Sequence, residues 1–161
     1  MKYLLASAAL SAFATMAPAQ SVIFGAGYAD FSDSFSVDPA IFSLEYQHRP
    51  FHRAERFSAT WGVAISSDKD GDSHIGAGLI GTYRFADRWF VEGSVMPGYY
   101  NESLALNDLG GSFQIRSLLG LGYTLDGGNA VSMAITHKSN ASTQEKNPGV
   151  NALMLRYHLI F

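Results

Sequence analysis

The sequence predicts an all-β protein, an eight-stranded antiparallel transmembrane β-barrel of up-and-down topology. Three observations carry the prediction. After the first residues no stretch holds the ~18 apolar residues of a membrane helix; the chain instead divides into runs of about 9 to 12 residues, the span of a tilted membrane strand. Apolar and small polar residues alternate within these runs, and successive strand residues point to opposite faces. Charged residues make up only 16% of the chain, beside 13% aromatics, 16 Gly and no Cys; a soluble domain carries about 25% charged residues. An exported chain without disulfides needs another source of stability, and closure in a bilayer is one.

Residues 1–19 read as a secretory signal peptide. Lys2 gives a positive start, YLLASAALSAFATM an apolar run, and APA the small residues of a cleavage site. The barrel then occupies 20–161. Without Lys2 the mature chain keeps 10 basic against 14 acidic residues, which leaves no footprint for nucleic acid.

Eight runs follow: 21–30, 40–49, 57–66, 73–84, 88–99, 112–124, 129–139 and 150–161. The second sets Phe42, Leu44 and Tyr46 against Ser43, Glu45, Gln47 and Arg49. The third sets Phe57, Ala59, Trp61, Val63 and Ile65 against Ser58, Thr60, Gly62, Ala64 and Ser66. In the sixth, Phe113, Ile115, Leu119, Leu121 and Tyr123, with Ser117 among them, oppose Gln114, Arg116, Gly120, Gly122 and Thr124. The eighth sets Leu153, Leu155, Tyr157, Leu159 and Phe161 against Arg156 and His158. The polar faces are short of Lys and rich in Gly, Ser, Thr and Ala. They suit a narrow lumen holding a few paired charges, expected at Glu45, Glu92, Arg84 and Arg116, better than a solvated surface.

Connections nearly alternate between short (ADR, LDGG) and long (31–39, 67–72, 100–111, 140–149), with PFHRAER read as a periplasmic turn. Tyr46, Tyr83, Trp89, Tyr123 and Tyr157 fall at one set of strand ends, Tyr28 and Tyr99 at the other, as an interfacial girdle does. The terminal Phe161 on the greasy face suggests the barrel-assembly machinery as a partner.

With the amino terminus in the periplasm, the seventh run ends at the outer leaflet. There Val131, Met133 and Ile135 face lipid, and the same face continues with His137 and Ser139. Residues i and i+2 lie roughly 7 Å apart at Cα from a rise of ~3.3 Å per residue. An imidazole there can take the proton of the hydroxyl and activate it, provided a third group orients the ring. The Asn140 amide and the Ala141 backbone N–H are candidate oxyanion donors.

The HKSN stretch ahead of a final strand, in a small barrel with a signal peptide, resembles the PagL family of outer-membrane lipid A 3-O-deacylases. The resemblance implies His137 as general base, Ser139 as nucleophile, and Asn140 with the following backbone as oxyanion hole. It implies lipopolysaccharide (lipid A) as substrate amid outer-membrane lipids, hydrolysis of the 3-O acyl ester by water, and no metal or cofactor. A homodimer stays open. The family carries a Glu early in the last strand where GVN stands here, so Asn151 holds the acid's position; Glu145 in the preceding loop is the alternative acid, and a weakened enzyme is the third outcome of this departure. Val131, Met133, Ile135 and Leu153 are the candidate acyl-chain contacts.

Other features read blandly. DKDGD at 68–72 departs from a calcium loop, because Gly71 stands fourth and Leu79 twelfth counted from Asp68. His48, His52, His74 and His158 lack ligand spacing and belong to the lumen or interface. NAS at 140–142 matches a glycosylation acceptor in an unsuitable context. Pro97 marks a local irregularity. The competing functional class is a non-catalytic small outer-membrane barrel with a binding or structural role.

Overall fold

The computed structural model describes residues 20–31 and 39–161. The expected signal peptide, 1–19, lies outside the described residues, as do loop residues 32–38. Eight long strands form the wall: β1 (Ser21–Phe31), β2 (Ala40–Gln47), β3 (Phe57–Asp68), β4 (Ser73–Arg84), β5 (Trp89–Asn101), β6 (Phe113–Thr124), β7 (Ala130–Ser139) and β8 (Val150–Ile160). Every neighbouring pair is antiparallel. β1 pairs with β8 from Ser21↔Ile160 to Phe31↔Val150, and β2 pairs with β3, so the sheet closes without an edge. At the terminus end Gln20 and Phe161 exchange both backbone hydrogen bonds, at 2.9 and 3.0 Å. That full pairing is what a lipid environment demands of a backbone.

The expected runs match the strands to within two residues, with two local differences. The 67–72 link contracts to a tight turn, because Asp68 Oδ1 accepts the N–H groups of Asp70 and Asp72, each at 3.0 Å. The side chain closes the turn itself. The 50–56 link carries a two-residue strand, His52–Arg53, laid on Ala59 and Ser58 of β3. Pro97, which lacks an N–H, interrupts the β4–β5 ladder between Gly76↔Gly98 and Leu79↔Val95, yet the register on either side is the same. It therefore makes no bulge.

Parity holds throughout. Phe42, Leu79, Leu119, Ile135 and Leu155 face outward, while Glu45, Glu92, Arg116 and Arg156 are buried inside. The lumen charges form one network. Arg156 donates to Glu92 at 2.8 Å and to Glu45 at 3.1 Å; Arg116 donates to Glu45 at 3.1 Å; Gln47 donates to both carboxylates. The expectation for Arg84 is corrected here. It ends β4, beyond the last lumen layer, and is exposed, donating to Thr124 at 3.4 Å. Arg156, in mid-strand, takes the interior role. Toward the loop end an apolar cluster of Ala29, Ile41, Tyr100, Leu109, Val150, Ala152 and Met154 fills the barrel. Chemistry at that end therefore belongs on the outer wall or in the loops.

Candidate active site

Lys138 and Asn140 decide where the candidate site faces. Lys138 is buried in the lumen with its ammonium 5.2 Å from the centre of the Tyr100 ring. Asn140 is fully buried, and its Nδ2 donates to the carbonyls of Leu109 (3.1 Å) and Lys146 (2.6 Å). With 138 and 140 pinned inward, 137 and 139 must point outward. A one-residue slip would carry the ammonium into lipid. His137 is accordingly exposed and Ser139 half-buried, on the same face as Met133 and Ile135.

On β8 the residue directly opposite His137 is Asn151, and His137 Nδ1 and Asn151 Oδ1 are 2.9 Å apart. Because Oδ1 only accepts, this contact puts the proton on Nδ1 and leaves Nε2 as the basic nitrogen. The Cε1–Nε2 edge of the ring lies over Gly149, where an added Cβ would stand 3.0 Å from Cε1 and 3.6 Å from Nε2. Gly149 also has φ +72°, a conformation that suits glycine. Gly149→Ala should therefore lower activity severalfold by pushing the imidazole aside. It should also lower the urea midpoint by the equivalent of about 1–2 kcal/mol; the two losses are read by catalytic rate and by equilibrium unfolding.

Ser139 pairs with Ile115 of β6, two positions along from the Ser117↔His137 pair. Its hydroxyl makes no hydrogen bond among the described residues, which leaves it open to a substrate; hydrogen bonds of this kind often tighten only when substrate binds. The turn after it is tight. Ala141 and Ser142 have φ of 53° and 61°, and the N–H and hydroxyl of Thr143 both bond to the Asn140 carbonyl, at 3.1 and 2.7 Å. Two consecutive non-glycine residues in the left-handed region store strain.

The Asn140 expectation needs correction in part. Its side-chain amide spends its donors inside, tying the 108–111 and 140–149 loops together, and does not face the hydroxyl. Its backbone N–H is taken by Asn147 Oδ1 at 3.0 Å. The Ala141 N–H has no partner among the described residues. Glu145 lies exposed in the loop with no bond to His137, whose Nδ1 is already held. Val131, Met133, Ile135 and Leu153 all stand on the outer wall, Ile135 directly beside Leu153.

Sequence reasoning missed three site residues: Gly149, Asn147 and Ser117. Ser117 sits beside His137 on the outer face, its hydroxyl 3.4 Å from the His137 carbonyl. Its parity is visible in the sequence; its neighbour is set by strand register.

Comparison with known proteins decides the family. The family model described as lipid A 3-O-deacylase (PagL) matches residues 40–159, most of the chain. The chain belongs to the PagL family. A curated relative, lipid A deacylase PagL of Bordetella bronchiseptica (strain RB50), is 31% identical over 72 residues, 44% of this chain. The match spans only 40% of that relative's length. Among solved structures, that of the outer-membrane enzyme PagL superposes with a TM-score of 0.70 at 18% identity, covering 88% of this chain and 99% of that one. Neisserial surface protein A has a TM-score of 0.60 at 13% identity, covering 88% and 97%. These two likenesses establish the shared barrel. This PagL-family chain is a closed β-barrel, and each of the two structural matches covers 88% of it.

Proposed function

We propose that this PagL-family barrel is a serine esterase that removes the ester-linked 3-O acyl chain from lipid A at the outer leaflet. The observation that carries the reading is the His137–Asn151 contact on the lipid-facing wall. It presents a basic Nε2 on the face that also bears Ser139. Family membership supplies the substrate class.

The steps follow from the residues. Ser139 Oγ attacks the ester carbonyl carbon while its proton passes to His137 Nε2. The carbonyl oxygen takes up the negative charge, and the Ala141 N–H is the donor proposed to receive it. The tetrahedral species collapses and expels the sugar oxygen, which takes the proton from His137. Water then attacks the acyl-serine, gives its proton to His137, and releases the fatty acid; the proton returns to Ser139. Asn151 holds the ring and its tautomer. The acyl chain lies along Val131, Met133, Ile135 and Leu153, in the hydrocarbon layer it already occupies. Lipid A in the surrounding leaflet reaches such a site by lateral diffusion. The barrel-assembly machinery is the partner proposed for insertion.

The test is the mass spectrum of lipid A from cells with and without the protein: one hydroxyacyl chain should be lost when it is present. The orienting role is read from two variants. Asn151→Ala should lower kcat by about 10–100-fold, since it frees the tautomer. Glu145→Ala should stay within about twofold, as an exposed loop residue does. The reverse order would transfer the orienting role to the loop.

A further inference from the structure

An amide in the acid's position leaves a question of direction. Asn151 can offer His137 either its oxygen or its NH2, and only the oxygen serves a base. Presented with NH2, Nδ1 must accept, the ring proton moves to Nε2, and Ser139 loses its proton acceptor.

The strand register brings a carboxylate to the other side of Asn151. Asp30 of β1 pairs directly with Asn151, as His137 does from β7. Asp30 is exposed and shares the outward parity of Phe24 and Tyr28. Directly paired residues hold their Cβ atoms about 4.5–5.5 Å apart. Asp30, Asn151 and His137 therefore stand in one row across three strands on the lipid-facing wall. β6, β7 and β8 contain no Asp or Glu, and Asp30 is the sole acidic residue of β1. The Asn151 NH2 has no acceptor among the described residues; its oxygen is the atom directed at His137.

Building on the esterase reading of Ser139 and His137, we propose that Asp30 is a positioning residue that sets the orientation of Asn151. An ionised carboxylate only accepts hydrogen bonds. No Asp30–Asn151 hydrogen bond is formed in this structure; the paired carboxylate is placed to take an N–H of Asn151 when it turns in, which holds the NH2 toward β1 and so commits the oxygen to His137. The same bond polarises the amide and makes its oxygen a stronger acceptor when the ring becomes imidazolium. The pair Asp30 and Asn151 thus does in two residues what a single carboxylate does when it contacts the ring.

The test is steady-state deacylation of lipopolysaccharide by the full barrel in vesicles, with heat-modifiable gel mobility as the folding check. Asp30→Asn should lower kcat by roughly tenfold with KM unchanged, the signature of an interaction acting through the catalytic step. Asp30→Glu should retain activity to within about threefold. Asn151→Glu puts a carboxylate on the ring directly; in that background the loss from Asp30→Asn should shrink to about twofold or reverse, because like charges no longer face each other. Three results would overturn the proposal: no change on Asp30→Asn, a rise in KM alone, or an equal loss in both backgrounds. Ser139→Ala run alongside separates the two levels. If it keeps activity, the esterase reading itself is wrong; if it is inactive and Asp30→Asn is normal, only the role of Asp30 is.

Discussion

Ser139→Ala is expected to abolish loss of the acyl chain from lipid A, with kcat/KM falling at least about 10³-fold while the barrel remains folded. The hydroxyl stands on the outer wall, half-buried and without a partner among the described residues, so its removal breaks no structural bond. No other serine or threonine shares both its face and its position two residues from His137 on β7. Ser117 lies on the same face but is committed to the His137 carbonyl. His137→Ala should have a comparable effect, and the double variant should cost little more, since the two groups act as one unit. Residual activity within tenfold of wild type for Ser139→Ala would point to a different nucleophile. Lipid A mass spectra give the qualitative answer; release of hydroxy fatty acid from purified lipopolysaccharide gives the rate.

The largest stability effect should come from the interior. Arg156→Ala is expected to destabilise the barrel by about 3–5 kcal/mol, the range for leaving buried charges without a partner. Arg156 bridges Glu45 and Glu92, each of which is buried, and removing it leaves Glu45 with Arg116 and Gln47, and Glu92 with Gln47 alone. Urea unfolding in detergent or bilayer, at constant m-value, would read the shift in midpoint. Arg84→Ala provides the contrast. Its guanidinium is exposed at the barrel mouth with one long hydrogen bond to Thr124 and the Phe90 ring centre 5.9 Å away, and its loss should move the midpoint little. A small effect for Arg156→Ala would show that Arg116 and Gln47 suffice to hold the two carboxylates.

Much of the site was legible before any coordinates. Alternation alone put His137 and Ser139 on the greasy face, and the resemblance to the family, whose acid falls where GVN stands, pointed to Asn151 as the ring's partner. Register then supplied what alternation cannot. Which residue of β6, β1 or β8 stands beside a given residue of β7 depends on strand stagger, so Ser117 and Asp30 stayed hidden. Asn140 misled for a related reason. Its amide chemistry suits an oxyanion, but its parity points inward, and the packing of two loops around it consumed its donors. Arg156 took the interior role expected of Arg84 because parity says which face a charge takes and nothing about its height in the lumen.

By itself, then, the sequence determined the strand count, the faces, and the residue types gathered at one strand end, because a two-residue period and the exclusion of charge from lipid leave few alternatives. The tertiary structure decided which side chains meet: the Asn151 oxygen on His137, Gly149 beneath the ring, Asp30 one strand farther on. Those meetings depend on how far each strand is shifted along its neighbour when the sheet closes, and that shift is a property of the whole barrel and of no single segment.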